Sequence, residues 1–183
     1  DPYEGSALHI ESENSWGSHD LYSHYTSLSG TQDQIGYYGY IHHRQGQGFR
    51  DTNSQFDVLY GGAKAVYEQD AQTRWTLTFD AYEETHGEPG GLTRAQFDLD
   101  PSMTTKLADR FELNRYSITG GLEKELSEVS QLDAKVYGIY YERLSWRQRG
   151  GGFGIAPSGA TASTNDIEEQ EFYTAGTDIR YRR

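Results

Sequence analysis

Apolar and polar residues alternate with a period of two through much of the chain, in runs separated by Gly, Asn, Asp and Ser. That period suits a strand, whose successive side chains point to opposite faces, and not a helix. The runs predict about eight strands, near residues 6–13, 19–28, 34–44, 54–68, 73–86, 111–126, 131–149 and 170–182. Three alternate cleanly. In the fifth, Trp75, Leu77, Phe79 and Ala81 oppose Thr76, Thr78, Asp80, Tyr82 and Glu84. In the sixth, Tyr116, Ile118, Gly120 and Leu122 oppose Ser117, Thr119, Gly121 and Glu123. In the seventh, Leu132, Ala134, Val136, Gly138 and Tyr140 oppose Asp133, Lys135, Tyr137, Ile139 and Tyr141. The third and fourth carry Tyr and Gly on both faces, so alternation sets no register there.

Short connections at 30–33, 68–72 and 127–130 intervene between longer ones at 45–53, 87–110 and 150–169. Tight turns at one end and long loops at the other are the asymmetry of a membrane barrel. The strands are long for a soluble sheet, where about 5–6 residues is usual. A tilted strand crosses a bilayer in about 9–11 residues. The expected fold is therefore all-β, an antiparallel transmembrane β-barrel.

Composition agrees. Only 34% of the 183 residues are hydrophobic, yet 14% are aromatic and 15 are Tyr. Disordered chains are poor in aromatics; strands with one wet and one greasy face are not. The formal charge of -12 disfavours nucleic acid as a partner. With no cysteine, disulfides and Cys-ligated metals are excluded. No apolar run nears the roughly 18 residues of a spanning helix, which leaves a closed barrel as the way to span. The chain opens at Asp1 and stops within a strand-like run at Arg183, so a fragment is expected.

Loop motifs carry a resemblance. They are Gln45-Gly46-Gln47-Gly48-Phe49-Arg50, His86-Gly87-Glu88-Pro89-Gly90-Gly91-Leu92, and Trp146-Arg147-Gln148-Arg149-Gly150-Gly151-Gly152-Phe153-Gly154. The opening Gly5-Ser6-Ala7-Leu8-His9-Ile10 and Ser15-Trp16-Gly17-Ser18 look like a first barrel strand and its loop. Together these resemble TonB-dependent outer-membrane receptors, particularly the ferric-citrate type, over essentially the whole chain. The resemblance implies a barrel of 22 strands with an N-terminal plug. Residues 1–183 would form a partial barrel domain of about eight strands, lacking the plug and the other strands. It implies a receptor in the outer membrane of a Gram-negative bacterium, which imports a ferric citrate or siderophore chelate. The TonB energy-coupling complex would act through parts absent from this chain. No enzyme activity and no cofactor is implied, the iron(III) chelate being substrate.

An anionic, oxygen-rich chelate needs donors facing the lumen, and the planar fork of Arg suits carboxylates. Alternation puts Arg143 and Arg147 inward near the outer end of the seventh strand, with Arg149 at the loop base. It puts His86 inward at the end of the fifth, while Arg44 and Arg50 flank another outer loop. These six are the candidate ligand-binding residues. Their structural alternative is wall ion pairing with Asp80, Glu84 or Glu142. His42 and His43 are strand neighbours, whose side chains diverge, and with His19 and His24 they lack metal-ligand spacing, so no metal site is assigned. The pairs Glu83-Glu84 and Glu168-Glu169 diverge likewise and form no acid–base couple; no GxSxG elbow occurs. Tyr22, Tyr25, Tyr37, Tyr38, Tyr40, Trp75, Tyr140, Tyr141 and Trp146 are expected in interfacial girdles. Two other readings compete: a complete small barrel serving as adhesin or structural protein, and a soluble carbohydrate-binding sandwich.

Overall fold

The computed structural model describes residues 8–157 and 164–183. Within them eight strands pair in chain order as one antiparallel sheet: β1 (His9–Trp16), β2 (Tyr22–Gln32), β3 (Ile35–Gly46), β4 (Phe56–Asp70), β5 (Thr73–Gly87), β6 (Arg110–Ser127), β7 (Ser130–Gln148) and β8 (Asn165–Arg182). The sheet is open, with β1 and β8 at its edges. There is no second sheet and no buried hydrophobic side chain among the described residues. That rules out the sandwich, whose stability needs a filled core between two layers.

The strands extend past their sequence-based limits in several places. β8 begins at Asn165, not near 170. Its first residues are polar on both faces, so no alternation marked them. Residues 19–21 belong to a connection, because His19 and Asp20 adopt positive φ of 57° and 54°. The first strand was expected to start at residue 6, and residues 6 and 7 lie outside the described residues, as do 158–163 of the last long loop. Two-residue turns at 33–34, 71–72 and 128–129 close one end. The other end carries 17–21, 47–55, 88–109 and 149–164. The 88–109 loop holds a short helix, α1 (Arg94–Leu99), that alternation did not predict. Its signal was a capping box: the Thr93 hydroxyl accepts from the Gln96 backbone N–H, and Gln96 reaches back to the Thr93 N–H.

Directly paired residues share a face, so the ladder assigns both faces without ambiguity. Trp75, Leu77 and Phe79 lie with Ile118, Leu122, Leu132 and Val136 on one face. Asp80, Glu84, Asp133 and Lys135 lie on the other. The apolar face splays outward: Leu77 is 53% exposed, Val136 58% and Ile179 71%. On the polar face Ser27, Ser29, Ser117 and Ser145 are buried, the last only 2% exposed. Side chains crowd on a concave face and diverge on a convex one, so the polar face is the inner one.

The apolar band has limits along the strands. Towards the long loops, Tyr116, Tyr140 and Tyr173 line up on the outer face, with ring centroids 6.3 and 5.0 Å apart. Beyond them the same face turns acidic with Glu83, Glu142 and Glu171. Towards the turns, Tyr67 and Trp75 pair. From Trp75 to Ala81, level with Tyr116, is six residues, roughly 20 Å of strand at about 3.3 Å each. That length approximates a lipid band flanked by aromatic girdles. The expected girdle was only partly right. Tyr22, Tyr37, Trp75, Tyr140 and Trp146 take the outer face, whereas Tyr25, Tyr38, Tyr40 and Tyr141 take the inner one. Alternation on β3 was hidden because tyrosine serves both faces there.

Spin labels at Leu77 and Thr78 in the bilayer-embedded protein should differ sharply. The label at 77 should be quenched by lipid-dissolved oxygen, and that at 78 by an aqueous nickel complex. Correspondingly, Leu77→Arg should lower folding stability by about 2–4 kcal/mol in urea titration, against little change for Thr78→Arg. Equal accessibility at the two positions would overturn the facing.

Candidate functional site

The long-loop end of the inner face carries the candidate residues, and the loops above it are tied into one body. Asn53, at φ 56°, is the central tie. Its side-chain amide donates to the carbonyls of Glu88, Lys106 and Asp109 at 3.0, 2.9 and 2.8 Å. This joins loop 47–55 to both ends of loop 88–109. Gly87 is required beside it, since a Cβ there would meet the Asn53 carbonyl oxygen at 2.6 Å. Gly90 takes φ 81°, and Pro89 then accepts from the Thr105 N–H at 2.8 Å. Thus the His86–Leu92 motif is a folded bend whose glycines follow from geometry. Gln96 donates to the Gly154 carbonyl at 2.7 Å and Lys106 to that of Gly150 at 2.9 Å. These bonds fasten loop 149–157 to the same assembly.

Below the loops, the ladder brings three of the six candidates around Phe111, a residue sequence reasoning missed. His86 pairs directly with Phe111, their rings 5.4 Å apart. The Arg147 guanidinium lies 4.4 Å from the Phe111 ring centroid, and that of Arg143 lies 5.9 Å away. Each such contact contributes about 0.5–1 kcal/mol at an exposed site and, more usefully, fixes where the cation sits. The signal was present: Phe111 opens a strand on the face that alternation assigns to the lumen.

Ion pairing around these cations is uneven. Arg147 stands 3.9 Å from the buried carboxylate of Asp109, which also accepts from the Gln148 backbone N–H. Asp109 therefore links the loop clamp to Arg147. The buried Nε of Arg143 has no hydrogen-bond partner among the described residues. Glu142, expected as a wall partner for these arginines, is on the opposite face and accepts from Asn114 at 2.8 Å. Glu84 is on the inner face but contacts His86 Nδ1 at 2.8 Å, without hydrogen-bond alignment, and accepts from Tyr82. His86 Nε2 is 3.1 Å from Glu88.

The other three candidates stand apart. Arg149 is held by Asp166 at 2.5 Å, and that hydrogen-bonded carboxylate raises the guanidinium above its ordinary range. Arg50 donates to the Met103 carbonyl and acts as a strut between loops. Arg44 occupies the same row as Arg143 on the inner face, through Val58, Glu84 and Leu113. Four strand spacings of about 4.8 Å separate them, roughly 19 Å along the wall. His42 and His43 point to opposite faces, since their partners Tyr60 and Leu59 do. A cavity of about 530 Å³ lies on the inner face lower down, lined by residues such as Lys64, Thr119, Lys135 and Arg180. It is close to the turns, remote from the arginines.

Asn53→Ala should release the loops while sparing the strands. Losing a hub that serves three carbonyls costs about 1–3 kcal/mol of local stability. Trypsin should then cut after Arg94 and Lys106 several-fold faster, with heat-modifiable gel mobility retained. An unchanged cleavage rate would mean the clamp is dispensable.

No protein-family profile matches the chain, and no curated protein matches it in sequence. A solved structure does match in shape: the ferric citrate transporter FecA in its unliganded form, with a TM-score of 0.76 at 18% identity. The match covers 95% of this chain and 25% of that one. The chain thus spans about a quarter of the length of the structure it resembles. At this identity the likeness is one of fold, and the fold is a sector of an antiparallel β-barrel wall.

Proposed function

We propose that the chain is wall and vestibule of an outer-membrane receptor that binds a ferric chelate, ferric citrate or a siderophore, and imports it by TonB-dependent transport. In this reading residues 1–183 are a partial barrel domain in a Gram-negative outer membrane. The energy-coupling complex acts through segments outside the chain, and no bond chemistry is performed. The observation that carries the proposal is the pair Arg143 and Arg147, both inward at the loop end, oriented by one aromatic ring. The half-exposed guanidinium of Arg147 supplies donors that a chelate carboxylate would meet. The fold of a ferric citrate transporter supports the same class of role. A small complete barrel draws no such support, because β1 and β8 are unpaired edges here.

The test is ferric citrate binding to the complete protein carrying Arg143→Ala, Arg147→Ala or Arg147→Lys. A charge-assisted contact is worth about 1.5–3 kcal/mol, so each Ala variant should bind about ten- to a hundredfold more weakly. Lys keeps the charge but loses the fork, and should rescue only in part. Parent-like binding by all three assembled variants would return these arginines to the wall.

A further inference from the structure

The outer face has a recess near the two-residue turns that the proposed function does not use. An apolar groove of about 670 Å³ lies there, walled by Trp75, Leu77, Leu122, Val136 and Ile179. Its floor is Gly120, in one row with Leu77 and Val136. Nothing in the backbone demands glycine at that place. Its φ is not positive, and a Cβ would meet only Val136 Cγ1, at an ordinary 3.5 Å. The missing side chain therefore leaves space open; it relieves no strain. Further towards the turns, on the same face, Lys124 stands between Thr73 and Leu132. It is exposed and forms no ion pair with the described residues. Its row holds one acid, Asp70, which feels the lysine's charge but is turned to the Gln72 N–H at 2.9 Å. The rows of Trp75 and Leu77 above it hold none. At the long-loop end of the same face, Glu83, Glu142 and Glu171 make the surface acidic.

We infer that Lys124 and the groove over Gly120 seat one anionic phospholipid, with its phosphate at the ammonium and one acyl chain in the groove. Lys124 and Gly120 are separated by roughly 13 Å of strand, so a headgroup held at the lysine lets its chain run along the recess. Charge complementarity names the occupant. Among the strand residues of the outer face, Lys124 is the cation at the turn end, while Arg110, at the other end, is stacked on Trp146 at 4.0 Å. A lone ammonium beside an apolar trough matches a molecule that joins phosphate to hydrocarbon. The headgroup follows from the same balance. With Asp70 turned to its own loop, a headgroup ammonium finds no matching carboxylate, so phosphatidylglycerol is favoured over phosphatidylethanolamine. Trp75 stands beside the groove and donates its indole N–H to Gln69 at 3.0 Å, as a ring at a membrane interface does. The inference rests on the reading of the chain as an outer-membrane wall. Short turns face the periplasm in such a wall, which assigns the lipid to the inner leaflet.

The complete protein is tested in mild detergent by native mass spectrometry, with phosphatidylglycerol and phosphatidylethanolamine of identical acyl chains as probes. Assembly is checked by heat-modifiable mobility. The parent should retain phosphatidylglycerol at least about fivefold more than phosphatidylethanolamine. Lys124→Gln should erase that preference, whereas Lys135→Gln, on the opposite face, should leave it intact. Gly120→Leu, which fills the recess, should lower retention of both lipids about fivefold. Equal retention of the two lipids by the parent overturns the inference. So does a preference lost equally in Lys135→Gln, which would make it an effect of overall charge, and so does parent-like retention by Gly120→Leu. In each of these cases ferric citrate binding, measured on the same samples, tells whether the proposed function stands. If the parent fails to float with phosphatidylglycerol vesicles, the membrane reading beneath both falls. The parent comparison decides the matter even if a variant fails to assemble.

Discussion

A strand in hydrocarbon has no water to satisfy its peptide groups, so each N–H and C=O must find a partner on the neighbouring strand. Everything else in this chain follows from that ladder. It runs without a break from β1 to β8, and its only register shifts lie beside two turns, at Glu68/Asp70 and Glu125/Ser127. Because paired residues share a face, the ladder also fixes sidedness over the whole sheet from a few clear positions. Once Leu77 is outward, Ile41 is on the same face two pairings away only if each intervening register is correct. Stability in such a wall comes from backbone pairing within the sheet, not from a core, and that is why so few aliphatic residues suffice.

The constraint explains what was legible beforehand. Where Leu, Trp or Val alternates with Asp, Lys or Thr, as on β5 to β7, period and face can both be read. Where tyrosine fills successive positions, as at Tyr37 and Tyr38, they cannot, since a phenol suits lipid boundary and lumen alike. The strand ends beside the long loops were also hidden. Residues such as Asn165 and Asp166 meet water on both faces, so pairing leaves no hydropathic trace. Within the site, inward placement of His86, Arg143 and Arg147 was predictable from period two. Their grouping was not, because it depends on the register of Phe111 on the strand between them. Lys124 lay on the same readable face as Gly120 and Leu122, yet it carried no motif to single it out. Which arginines are already engaged is a three-dimensional fact: Asp166 takes Arg149 and the Met103 carbonyl takes Arg50.

The loop assembly gives the site its precision. A vestibule lined by long loose loops would have to order them on ligand binding, at a cost in conformational entropy. Here the Asn53 amide, the Gln96 side chain and Lys106 hold three connections together before any ligand arrives. Asp109 carries that order down into the wall, since it bonds the backbone of Gln148 and approaches Arg147. The position of a guanidinium on β7 is thereby coupled to a bend between β5 and β6. Preorganisation of this kind raises affinity without adding contacts.

A net charge of -12 is compatible with the anionic ligand proposed above, and the reason lies in length scale. At physiological salt, charges more than about 8 Å apart are largely screened from one another. What a ligand feels is therefore the local set. On the outer face Glu83, Glu142 and Glu171 contribute to net charge but stand on the far side of the sheet from Arg143. On the inner face Glu84 is occupied by Tyr82 and His86, and Asp109 by a backbone N–H. Arg115 forms no ion pair with the described residues, and Arg147 stays half exposed. Acidity of the whole molecule and cationic character of one wall are thus compatible, and the second is what the proposed ligand would meet.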